Sequence, residues 1–149
     1  YVRHGDKGSE MELLSWKRFY NGIKVAAEIS MLTSTKEECK TEKFSVFLMT
    51  DDEKIVPEAK RDFGSRLLFV DDSFSRNSNH PGKRNSTATE KMENFFTMML
   101  NIHYCLKCDS FVSQRRSNIA RLIDELKMTK AAKLTAPFIE VGEYDFDWK

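Results

Sequence analysis

The sequence predicts an α/β protein: a Rossmann-like parallel sheet with helices on both faces. Three observations lead there. Short apolar runs, FSVFLM at 44–49, LLFV at 67–70 and DSFVS at 109–113, have the length and β-forming composition of buried strands. Stretches with apolar residues at helical spacing separate them, and this alternation calls for crossover connections and hence parallel strands. Polar clusters follow the strands at Arg3–Lys7, Thr50–Asp52, Asp71–Ser73 and Ser113–Asn118, and in such sheets ligands bind beyond the strands' carboxyl ends.

Taken in order, Tyr1–Arg3 reads as the end of a strand, which Gly5 and Gly8 break into a loop. From Glu10 to Met31 an amphipathic helix is expected, with Leu13, Leu14, Trp16, Phe19, Tyr20, Ile23, Ala26 and Ala27 on its apolar face. Residues 33–43 are polar and connect it to the strand at 44–49. That strand stops at Thr50-Asp51-Asp52, whose side chains suit the start of a helix over 53–63. Pro57 fits the first turn of that helix, where a missing amide costs little, and Gly64 and Ser65 end it. After the strand at 67–70, residues 74–89 are rich in Ser, Asn, Pro and Gly and read as a flexible surface loop. A helix over 89–107, the strand at 109–113 and a helix over 117–127 complete the alternation. The closing EVGEYDFDWK is acidic and aromatic, a surface tail or a last strand.

The chain has 149 residues, 40% of them hydrophobic, enough for one domain with its own core. A net charge of +1 gives no general attraction to nucleic acid or anionic membranes, so an anion site has to be local. Arg115 and Arg116 lack the basic and aromatic stripe of a single-strand binder, and no nucleic acid is expected. Cys105 and Cys108 have CxxC spacing, but no second pair completes a zinc site, and their apolar, helix-like setting favours a structural role. His80 and His103 stand apart from any spaced ligand set. No metal site is expected. No GxxxxGK[ST] segment exists, and Gly5 with Gly8 matches no dinucleotide fingerprint.

Three of the polar clusters have chemistry to offer. Arg3 brings a rigid fork of donors and Lys7 a mobile point charge, with His4 between them: together a receptor for a diphosphate, or a solvated charged stretch. Ser117 and Asn118 begin a helix, where free amides and the dipole favour an anion, or where a serine simply caps. Asp51 and Asp52 suit a sugar hydroxyl, a base amino group or a divalent ion; carboxylates also favour helix starts without any ligand.

Three separated segments, in order, carry a family resemblance. VRHGDKGSE (2–10), VFLMTDDEKIVPEAKRDFGSRLLFVDDS (46–73) and LNIHYCLKCDSFVSQRRSNIARLIDEL (100–126) resemble the three motif blocks of GDP-fucose-dependent fucosyltransferases, in particular the alpha-1,6 branch of core N-glycan and nodulation enzymes. The resemblance implies the C-terminal, donor-binding half of a GT-B-like glycosyltransferase. Its reaction would be an inverting, metal-independent transfer of fucose from GDP-fucose to a glycan hydroxyl, with no cofactor. By the same resemblance Arg3 grips the diphosphate. His4, Asp6, Lys7 and Glu10 shape the same loop, Glu10 being the candidate general base. Asp51 and Asp52 lie near the donor, and Ser117 is the phosphate-side serine. Asn101 stands where the family has aspartate, Asn118 where it has glutamine, and His4 where it has a second arginine. Arg115 and Arg116 replace small or aromatic residues, either as added diphosphate contacts or as a distortion of the pocket. The acceptor-side domain of a complete member is not in this sequence. The chain is therefore expected to be part of a longer protein of the secretory pathway (Golgi), any membrane anchor lying in the missing region. The alternative on the same residues is a non-catalytic module that binds a sugar nucleotide or a glycan.

Overall fold

The computed structural model describes residues 1–2, 13–33, 44–70, 87–129 and 138–142. Their elements alternate: α1 (Trp16–Thr33), β1 (Val46–Phe47), α2 (Ile55–Phe63), a 3-10 turn at Gly64–Arg66, β2 (Leu67–Leu68), α3 (Ala88–Lys107), β3 (Phe111–Ser113), α4 (Asn118–Thr129) and β4 (Phe138–Glu140). The fold is mixed α/β with two small parallel sheets. In one, Val46 pairs with Leu67 and Phe47 with Leu68; in the other, Phe111, Val112 and Ser113 pair with Phe138, Ile139 and Glu140.

Residues 1–2 lie between the two pairs. The Val2 amide donates to Met49 O at 3.0 Å, and Val2 forms a parallel bridge with Thr50. On the other side the Tyr1 nitrogen donates to Val112 O at 2.6 Å, and the Ser113 hydroxyl to Tyr1 O at 3.0 Å.

Because successive strand residues point to opposite faces, the apolar runs feed two cores. Val2, Val46, Leu48, Leu67 and Val141 pack with Leu14, Trp16 and Phe19 and with Ile55, Val56, Ala59 and Phe63 of α2. Tyr1, Met49 and Phe111 pack with Ile102 and Cys105 of α3 and Ala120 and Ile123 of α4. This is why FSVFLM reads as nearly continuous apolar sequence: both of its faces are covered.

The first core is ordered by close contacts. Phe19 is almost fully buried, worth about 2–3 kcal/mol of apolar transfer. Gly22 lets α1 approach the β3–β4 pair so closely that an added Cβ would meet Val112 Cγ1 at 3.0 Å and Val141 Cγ2 at 3.1 Å. The Trp16 indole donates to Asp62 Oδ2 at 2.7 Å, tying α1 to α2, and its ring meets Phe63 edge-on at 6.2 Å. Gly64 ends α2 at φ 55°, a left-handed conformation that glycine tolerates, with its amide on Lys60 O.

Several boundaries differ from expectation. Leu13–Ser15 precede α1 as non-helical chain, so the helix starts at Trp16 rather than Glu10. α3 begins before Thr89, because Thr87 and Glu90 form a capping box: Glu90 N donates to Thr87 Oγ1 at 3.2 Å and Thr87 N to Glu90 Oε2 at 2.7 Å. The last strand starts at Phe138, two residues ahead of the expected tail. Most of the expected loop over 74–89 lies outside the described residues.

Candidate functional site

The carboxyl ends of β1 and β3 flank the end of the 1–2 segment, so the polar runs that follow β1 and β3 lie at one edge. After β1, Thr50 Oγ1 accepts from Asp52 N at 3.1 Å, and Asp52 Oδ1 accepts from Lys54 N at 2.9 Å. These bonds turn the chain from strand into α2, so the Thr-Asp-Asp run does local structural work at the edge. Asp51 and Asp52 are both half-buried there.

After β3, Gln114 O accepts from Ser117 N at 3.1 Å, closing a turn that delivers the chain to α4. Ser117 is buried, and its hydroxyl accepts from Ala120 N at 3.4 Å, the bond of a helix cap. Asn118, the first residue of α4, is exposed; its side-chain oxygen accepts from the Arg121 guanidinium. Thus Ser117 caps, while the opening amides and dipole of α4 lie at the shared edge.

Arg115, exposed in the turn before α4, has neighbours on α4 and β4. Its guanidinium lies 3.9 Å from Asp124 Oδ2 and 5.2 Å from the Phe138 ring centroid, packing α4 against β4. Asn101, half-buried in α3, donates through Nδ2 to Thr97 O of its own helix at 2.9 Å. It sits one turn before Cys105, whose thiol is 4.0 Å from Met49 Sδ. Burial pushes the Cys105 thiol up to about 11, which keeps it a neutral packing group, in line with the structural reading of this pair.

Arg3, His4, Asp6, Lys7 and Glu10, and the acidic pair Asp71 and Asp72, lie outside the described residues. Arg3 directly follows Val2, whose bridge to Thr50 is described. Among the described residues no group of three or more His, Cys, Asp or Glu side chains is gathered as for a metal ion, and no helix is long and apolar enough to cross a membrane.

One residue of this edge, Gln114, lies within the Ser113–Asn118 run but is not singled out by the sequence; it is buried at the carboxyl end of β3. Its signal was position alone, a long polar side chain directly after a strand that feeds a helix. Compared with protein-family models, curated proteins and solved structures, the chain finds no match in any of the three.

Proposed function

We propose that this chain is the donor-binding part of a fucosyltransferase-like enzyme that takes GDP-fucose as donor and a glycan hydroxyl as acceptor. The observation that carries the reading is strand order. Residues 1–2, bridged in parallel to Thr50 and bonded through the Tyr1 nitrogen to Val112 O, lie between the two parallel pairs; counting them as a first strand gives β2, β1, 1–2, β3, β4, which supports reading the two pairs as a doubly wound sheet of order 3-2-1-4-5. α1 and α2 share one core and α3 and α4 the other, as that Rossmann-like arrangement requires. Such a sheet binds nucleotides at its switch point, outside the carboxyl ends of the first and fourth strands. Here those ends lead into Arg3–Lys7 and Gln114–Asn118, the first and third motif blocks of the resemblance.

The chemistry follows from charge. As the bond from fucose C1 to the diphosphate breaks, negative charge grows on the departing GDP; Arg3, Lys7 and the first amides of α4 stabilise it. The acceptor oxygen forms the new bond to C1 from the opposite side, and its proton passes to a carboxylate, for which Glu10 is the candidate. His4 and Asp6 shape the loop, and Asp51 and Asp52 face the donor's sugar or base.

One observation favours the second reading, a binding module without turnover. Asn101 and Ser117, two positions of the third block, have their polar atoms engaged within their own helices. Asn101→Asp separates the two: it raises fucosyl transfer in an enzyme extended by its acceptor-side part and changes nothing in a module.

Calorimetric titration of the chain with GDP, GDP-fucose and ADP, with and without EDTA, tests the donor site. Guanine-selective binding that survives EDTA and disappears in Arg3→Ala is the expected result. A folded chain that binds none of the three overturns the proposal.

A further inference from the structure

α3 has a second face that neither core uses. Met92, Phe96, Met99 and Leu100 recur at helical spacing on the side away from Ile102 and Cys105, with Phe95 and Tyr104 at its two margins, and each of the six is 43% to 63% exposed. Leu68 extends the patch: it is 57% exposed and pairs in register with Phe47, whose ring lies 5.2 Å from that of Tyr104. Side chains of this size bury about 200 Å² each, so the six on α3 alone leave roughly 600 Å² of apolar surface open, the upper end of what a soluble monomer carries.

We propose that two copies of this chain associate through α3, antiparallel about a twofold axis. Area is the first argument. Doubled across the axis, the patch removes roughly 1,200 Å² from water, above the ~1,000 Å² that a specific interface needs. Pattern is the second. Met92, Phe96, Met99 and His103 are spaced four, three and four residues apart, a short two-helix seam. Antiparallel packing sets Phe96 against Met99 of the other copy and Met92 against His103, so no like side chains collide and the helix dipoles oppose favourably. The charges beside the seam, Lys91, Glu93 and Lys107, carry both signs, whereas a helix lying on anionic lipid has a basic fringe. This proposal does not depend on the donor site.

Sedimentation equilibrium of the chain from about 1 to 100 µM tests it, with circular dichroism confirming the fold of every variant. The expected wild-type result is a monomer–dimer equilibrium with half-association in the micromolar range. Phe96→Glu and Met99→Lys, both at exposed positions, are each expected to weaken association at least roughly a hundredfold, because each buries an unpaired charge. Mixed in equal amounts, they are expected to regain the dimer, since Glu at one position then meets Lys at the other. A folded wild type that stays monomeric at 100 µM overturns the proposal and leaves the face to a different chain or segment. So do variants that dimerise as well as wild type, open-ended assembly, or a mixture that is not rescued.

Discussion

Gly22 shows how far one residue sets the distance between layers. Alanine there gains about 1 kcal/mol of helix propensity but drives its methyl to within 3.0 Å of Val112 Cγ1 and 3.1 Å of Val141 Cγ2. Both neighbours are β-branched, Val112 in β3 and Val141 buried directly after β4 with its amide on Ser113 O, so they yield little, and overpacking costs about 1–3 kcal/mol. The overpacking wins. Gly22→Ala is expected to lower stability by about 1 kcal/mol and Gly22→Val by more than 3 kcal/mol, read as a fall in urea midpoint at constant slope. Nothing in the spacing of α1 singles this glycine out; the facing methyls give it its reason.

At the scale of elements, α1 and α2 are tied through Trp16 and Asp62. Hydrogen bonds from Arg61 and then from Trp16 hold the Asp62 carboxyl below its ordinary 3.8. Its folded value is thus depressed, so its contribution is present above the unfolded value and is lost as pH falls through the folded one. Asp62→Asn is expected to cost about 1 kcal/mol at neutral pH and to flatten the fall in stability below pH ~4. Denaturation midpoints between pH 2 and 7 check this; wild type and variant sharing one acid limb would disprove the tie. The element boundaries teach a related lesson. Thr87-x-x-Glu90 was a legible capping box that the loop-like composition around it masked, whereas the non-helical Leu13–Ser15 gave no sign, because Leu13 and Leu14 continue the helical spacing.

At the scale of the whole molecule, Val2 joins the two sheets and is 2% exposed in the first core. Val2→Ala is expected to cost about 2 kcal/mol, and Val2→Asp, which buries an unpaired charge, to uncouple the β1–β2 pair from the β3–β4 pair. Hydrogen exchange reads this directly. In the wild type the Leu48 and Val141 amides, bonded to Leu68 O and Ser113 O, are expected to open together; in Val2→Asp they open separately. Equal protection in both proteins would show that residues 1–2 do not couple the sheets.

By itself the sequence determined the class of fold: strand and helix periodicities depend on local spacing and survive any arrangement in space. It also marked the polar runs after the strands, because the end of an apolar run is written in the chain. Tertiary structure alone decided which runs become neighbours. The pairing of β1 with β2 and of β3 with β4, and the bond from the Tyr1 nitrogen to Val112 O, join residues far apart in the chain, and no local pattern encodes them. Structure likewise separated groups of the same chemical promise: Ser117 caps α4 and Arg115 packs on Phe138. It also turned one face of α3 outward, since an apolar helix looks the same in sequence whether its second face meets the core or solvent.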